Sequence, residues 1–168
     1  MPGTTRLVLT LAVLFVPTGL AAQGKASAGE EGEIERAVAR IREATKAFHD
    51  VDAAVAAGYP ATDHCLESAT GAMGHHFVNR TLYDAKLEVE RPEILVYAPW
   101  EDGGLELAGV EYVVPYSVRP RDAQPPTILG QELKRADGLQ IWYLHVWVWK
   151  ENPKGLFADW NPTFSCRR

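Results

Sequence analysis

The spacing of apolar positions changes character along this chain, and each change marks an element. From Glu33 to Ala57, Ile34, Val38, Ile41, Phe48, Val51 and Val55 recur at steps of three and four, with Ala37 and Ala44 in the same stripe. That period predicts one long amphipathic helix. Glu31 and Glu33 stand at its start, where the helix dipole favours negative charge, and Gly58-Tyr59-Pro60 ends it. His49 falls outside the stripe and reads as an exposed helical histidine. The period is then lost. Ala61–Asn79 (ATDHCLESATGAMGHHFVN) mixes glycine, small residues and histidine and reads as a loop with at most a helical turn. Leu82–Arg91 reads as a short second helix or an irregular connection, and Pro92 breaks the chain.

Strand patterns follow. Glu93–Tyr97, a Gly-containing turn at Pro99–Gly104 and Leu105–Val114 predict a β-hairpin. Strict alternation along its second arm puts Leu105, Leu107, Gly109, Glu111 and Val113 on one face. Pro115–Pro126 holds four prolines and reads as loop. Thr127–Leu133 fits either a short strand or the start of a helix. After the turn Ala136-Asp137-Gly138, Ile141–Lys150 (IWYLHVWVWK) has the β-branched and aromatic composition of a buried strand. Alternation places Ile141, Tyr143, His145, Trp147 and Trp149 on one face and Trp142, Leu144, Val146, Val148 and Lys150 on the other. The remaining turn-rich coil carries Leu156, Phe157, Trp160 and Phe164, too many large apolar residues to stand free of the sheet. The expected fold is α+β: the helix at 33–57 packs on a mostly antiparallel sheet that includes 93–98, 105–115 and 140–150.

Composition and targeting refine this. Met1–Ala22 has a basic residue (Arg6), an apolar run at Leu7–Val16, a break at Pro17-Thr18-Gly19 and small residues at Ala21 and Ala22, the pattern of a secretory signal peptide. Residues 23–32 read as a flexible lead-in and 33–168 as a single domain. Export points to a periplasmic or extracellular location. A formal net charge of −5 without any basic stripe argues against nucleic acid as a partner. No later segment is apolar enough to span a membrane. The only two cysteines, Cys65 and Cys166, read as one disulfide in an oxidising compartment, since no CxxC pairing supports thiolate metal ligands. Asn79-Arg80-Thr81 is formally a glycosylation sequon.

Three places can carry chemistry. In Gly71-Ala72-Met73-Gly74-His75-His76, glycines let an imidazole approach a ligand closely, and adjacent histidines in extended chain point oppositely, so His75 and His76 are alternatives. Glu111 stands mid-strand among apolar neighbours, where a carboxylate is costly unless it is paired, hydrogen-bonded or metal-bound. His145 stands mid-strand in the last strand. If the two strands are neighbours, His145 and Glu111 converge, with His64 and Glu93 as further candidates. Histidine plus carboxylate suits a divalent transition metal such as Zn, Mn, Fe or Cu, or metal-free acid–base work. No HxH, HExxH or HxxxH spacing is present, nor any GxSxG elbow, phosphate loop or dinucleotide fingerprint. The competing reading is a metal-free binding or structural protein, in which Tyr143, Trp147, Trp149 and Trp160, with Phe157, line a pocket for a small apolar or planar ligand.

At GAMGHHFVN, PEILVY, LAGVEYVVP and LHVWVWKENPKGLFADWNP the chain resembles an uncharacterised family of exported bacterial proteins. The likeness runs from about Ala44 to Cys166. It implies a bacterial periplasmic or extracellular setting and one domain, and brings no activity with it.

Overall fold

The computed structural model describes residues 28–100 and 103–166, the side chains of Ala28, Asp63 and His64 excepted. The expected signal segment 1–22 and the first part of the lead-in lie outside the described residues. Helix α1 spans Ala28–Thr45, beginning five residues before the expected start. A 3₁₀ turn at Lys46–His49 and a short α2 at Val51–Ala56 replace the rest of the expected continuous helix. Two local side chains account for the break. Thr45 Oγ1 donates back to the Ile41 carbonyl at 2.7 Å, a contact that bends helices. Asp50 leaves helical geometry and caps α2, accepting the Asp52 N–H at 3.0 Å.

The sheet strands are β1 (Ala61–Ser68), β2 (Gly71–Val78), β3 (Ile94–Pro99), β4 (Leu105–Pro115), β7 (Lys134–Ala136) and β8 (Ile141–Val146), with a separate two-residue hairpin of β5 (Thr127–Ile128) and β6 (Gln131–Glu132). The main sheet runs β1-β2-β3-β4-β8-β7 and every pairing is antiparallel. The fold is α+β, with a helix on one face of a mostly antiparallel sheet. No helix among the described residues is long and apolar enough to cross a membrane.

The segment 61–79, expected as loop, is instead the β1–β2 hairpin. Its glycines mark close backbone approach more than turning. A Cβ on Gly71 would lie 2.5 Å from the Asn161 carbonyl oxygen, and one on Gly74 would collide with that of Tyr97. Both also have positive φ, at 138° and 103°. Leu82–Arg91 is irregular, preceded by one 3₁₀ turn at Arg80–Leu82. The sequon is structural: Asn79 is buried, and its side-chain oxygen accepts from Thr81 N–H and Oγ1.

Two departures from strict alternation decide what faces what. In β4, Val96 pairs with Gly109 and Tyr97 with Leu107, so Ala108 is an extra residue. The bulge turns Leu107 into the core under the helix while Gly109, Glu111 and Val113 keep the opposite face. The last strand ends at Val146, earlier than the expected 150, because Val148 N–H turns back to the Val146 carbonyl. Trp149 therefore does not join the His145 face. It packs on the helix side, with Nε1 donating to Thr45 Oγ1 at 3.1 Å and its ring 4.4 Å from that of His49.

The helix-side core gathers Ile41, Leu95, Tyr97, Val110, Tyr112, Trp142 and Leu144. On the other face the C-terminal coil crosses back over the sheet. Trp147 Nε1 donates to the Ala158 carbonyl at 2.6 Å, Ala72 and Asn161 exchange backbone hydrogen bonds, and Cys166 closes a disulfide to Cys65 on β1 across 101 residues. The coil thus spans the sheet from β8 to the far edge.

Candidate functional site

Sheet register builds the site. Glu111 on β4 pairs directly with His145 on β8, and His76 on β2 pairs with Val96 of the intervening β3. All three side chains emerge from the face opposite the helix. His76, Glu111 and His145 are buried, and one ligand-type atom of each lies within 4.8 Å of the others. His76 Nε2 is 3.4 Å from Glu111 Oε2, and the two imidazole centroids are 5.8 Å apart. His75, one residue along, takes the other face: it pairs with Tyr97, a residue of the helix-side core. The structure brings His76 to the cluster and leaves His75 outside it.

The electrostatics follow from burial. Desolvation pushes the His76 imidazole down to about 4, outweighing the opposing pull of the Gly74 backbone. It holds His145 well below the usual range, with His76 and Lys134 adding to the effect. It pushes the Glu111 carboxyl up to about 8, assisted by the charges of Asp159 and Glu93. Burial thus favours the neutral form of all three groups in the absence of a cation. Among the described residues, neither ring nitrogen of His145, nor Nδ1 of His76, has a hydrogen-bond partner. A neutral imidazole carries one donor and one acceptor, and leaving them unpaired inside a protein costs on the order of 1–3 kcal/mol per group.

Glu93 stays apart. It is buried, and its Oε2 accepts the Val113 N–H at 3.0 Å; burial raises it to about 8 against that hydrogen bond. The His64 side chain lies outside the described residues. Among the aromatic candidates, Trp147 stacks at 5.0 Å from His145 and forms a wall with Ala98, Ala108 and Phe164. Tyr143 and Trp160 line a cleft of about 460 Å³ into which His76 and Glu111 also open. His145 lies behind that wall, fully buried. Phe157 packs against the helix-side core.

Three contributors were not singled out in the sequence. Arg80 and Tyr83 line the same cleft, and Asp159 of the coil is tied to Lys134 at 2.6 Å beside the cluster. The spacing His76-x-Val78-x-Arg80 carries a signal for Arg80, but only once 71–78 is known to be a strand.

What the arrangement can do is set by its donors. Two imidazoles and a carboxylate from three strands form a ligand set used by divalent transition metals. Ligand atoms on opposite sides of an ion with bonds of 2.0–2.2 Å sit up to roughly 4.3 Å apart, so small side-chain adjustments bring these residues to bonding distance. His76 Nε2, the nitrogen that faces Glu111, and one ring nitrogen of His145 are the atoms such an ion would bind. Comparison of the chain with protein-family models, with curated proteins and with solved structures found no match in any of the three.

Proposed function

We propose that this is an exported bacterial protein that binds a divalent transition metal through His76, Glu111 and His145. The observation that carries the reading is the convergence of three buried donor groups, with three of the four imidazole nitrogens lacking a hydrogen-bond partner among the described residues. A bound cation would engage one ring nitrogen of each histidine and favour the ionised form of Glu111. Three protein ligands leave coordination positions open, as in catalytic more than structural sites, and the cleft beside His76 and Glu111 gives those positions access to a small molecule. The metal would supply Lewis-acid or redox chemistry, while the strands fix the ligands and Trp147 shields His145 from water. The Cys65–Cys166 disulfide and the signal-like residues 1–22 support an oxidising, exported setting.

Metal analysis of protein purified without a polyhistidine tag tests this. Stoichiometric Zn, Mn, Fe or Cu is expected, retained on dialysis and lost in His145→Ala and Glu111→Ala. Adding the metal should raise the melting temperature of the chelator-treated wild type and leave that of His145→Leu unchanged. Wild type that takes up no metal while fully folded would overturn the reading. The cleft would then stand as a metal-free ligand pocket, an alternative that Tyr143 and Trp160 in its wall favour.

A further inference from the structure

The cleft over the cluster carries information about its ligand. Its walls are mostly apolar, and two of the few large hydrophobic residues exposed among the described residues, Leu66 at 41% and Leu139 at 69%, stand at this one cleft. Met73 and Ile94 extend the apolar lining inward. Large apolar side chains left exposed on a concave surface mark a place where an apolar body is received. A volume of about 460 Å³ is near the lower end of the roughly 300–1,000 Å³ of small-molecule sites, which suits one ring with a short chain.

One cation breaks this apolar lining. Arg80 opens the 3₁₀ turn that follows β2 and Asn79, and its guanidinium stands 5.9 Å from the Tyr83 ring centre, in the same cleft. The ring contact holds the side chain at the wall without neutralising it. Among the described residues, no carboxylate lies within ion-pair distance of Arg80. The other arginines near acidic groups, Arg40, Arg91 and Arg121, are each paired. Guanidinium presents a planar fork that matches a carboxylate in two parallel hydrogen bonds, with a geometry that an amide or alcohol does not reproduce.

We propose that the cleft binds a small apolar carboxylate, a single-ring or short-chain organic acid, with its carboxylate on Arg80 and its apolar body between Leu66, Met73, Ile94 and Leu139. The inference rests on the metal reading for the reacting centre, but Arg80 is no part of the His76–Glu111–His145 set. The two therefore fail separately.

The test is calorimetric titration of the mature chain, both chelator-treated and zinc-loaded, with benzoate, 3-phenylpropanoate and the corresponding neutral amides. At least one acid should bind wild type about tenfold or more tighter than its amide, as expected for a charge-assisted pair. Arg80→Gln should remove that preference and Arg80→Lys restore part of it, with far-ultraviolet circular dichroism unchanged because Arg80 is exposed. Equal binding of acid and amide in wild type, or no binding of any acid, would overturn the proposal. An acid preference that survives Arg80→Gln but vanishes on zinc removal would overturn it too, because the carboxylate would then sit on the metal. If the chain takes up no zinc yet shows the Arg80-dependent preference, the metal reading falls and this one stands. If zinc binds without the preference, this one falls alone.

Discussion

The two faces of the sheet both bury polar groups, and they handle them in opposite ways. Under the helix, each buried hydroxyl or indole has a partner: Tyr112 OH donates to the Val89 carbonyl at 2.6 Å, Tyr59 OH to Pro92 at 2.8 Å, and Trp142 Nε1 to Arg119 at 3.0 Å. On the far face His76, Glu111 and His145 stand together, and three of their four ring nitrogens have no partner among the described residues. A face that satisfies its polar atoms is built for stability. Unpaired imidazoles are rare in natural cores, and they are what the proposed metal site accounts for.

The largest effect should come from the bond that clamps the coil over the far face. Replacing both Cys65 and Cys166 by serine frees a loop of 101 residues and is expected to cost about 4–5 kcal/mol in the chain-entropy account. Urea unfolding of the two proteins measures it, and a loss below about 1 kcal/mol would show that the coil's non-covalent contacts, such as those of Trp147, Asp159 and Asn161, suffice to hold it in place. Close behind, Trp142→Ala on the helix face should cost about 3–5 kcal/mol, read from the same curves.

The far face should behave in the reverse sense. In chelator-treated protein, His145→Leu replaces an unpaired imidazole with an apolar side chain. It is expected to leave stability unchanged or raise it by about 1 kcal/mol, while abolishing metal uptake. A loss above about 2 kcal/mol without metal would mean that His145 is satisfied in the apo protein and would remove the contrast between the faces.

Titration sharpens the same point. His76 has a folded value lowered from 6.5 to about 4, so it adds stability as pH rises through that interval. Glu111 is raised from 4.5 to about 8, so its folded form holds a proton that the unfolded chain has released, and stability falls as pH rises between those values. The two oppose each other below about 6.5. From there to about 8, Glu111 and the similarly raised Glu93 act alone. Metal-free protein should therefore lose stability between pH 6.5 and 8, and Glu111→Gln should flatten part of that slope. A flat wild-type profile would refute the burial of the carboxyl. The smallest effect is expected at Asp159→Asn: it removes the partly exposed Lys134 ion pair, worth under about 1 kcal/mol, and removes a negative charge that raises Glu111.

Much of this fold was legible from local pattern. The stripe from Ile34 to Val55 located the helical region, and alternation located β3, β4 and the start of β8 with bounds within a residue or two. The β1–β2 hairpin was hidden because its composition answers to tertiary contact: Gly71 and Gly74 are small because Asn161 and Tyr97 carbonyls press against them, and glycine in a sequence reads first as a turn. Trp149 and Leu107 were assigned to the wrong face because alternation holds only until a bulge or strand end intervenes, and neither leaves a local signature at Ala108 or Val146.

The sequence by itself determined the residue types of the site and the pairing of its only two cysteines, because mid-strand Glu111 and His145 conflict with their apolar neighbours whatever the fold. Tertiary structure decided which groups meet. Register put Glu111 opposite His145, the hairpin selected His76 over His75, and the cleft gathered Arg80 and Tyr83 beside them. Those choices depend on strands brought together from distant parts of the chain, whereas residue periodicity reports only the face that each strand presents.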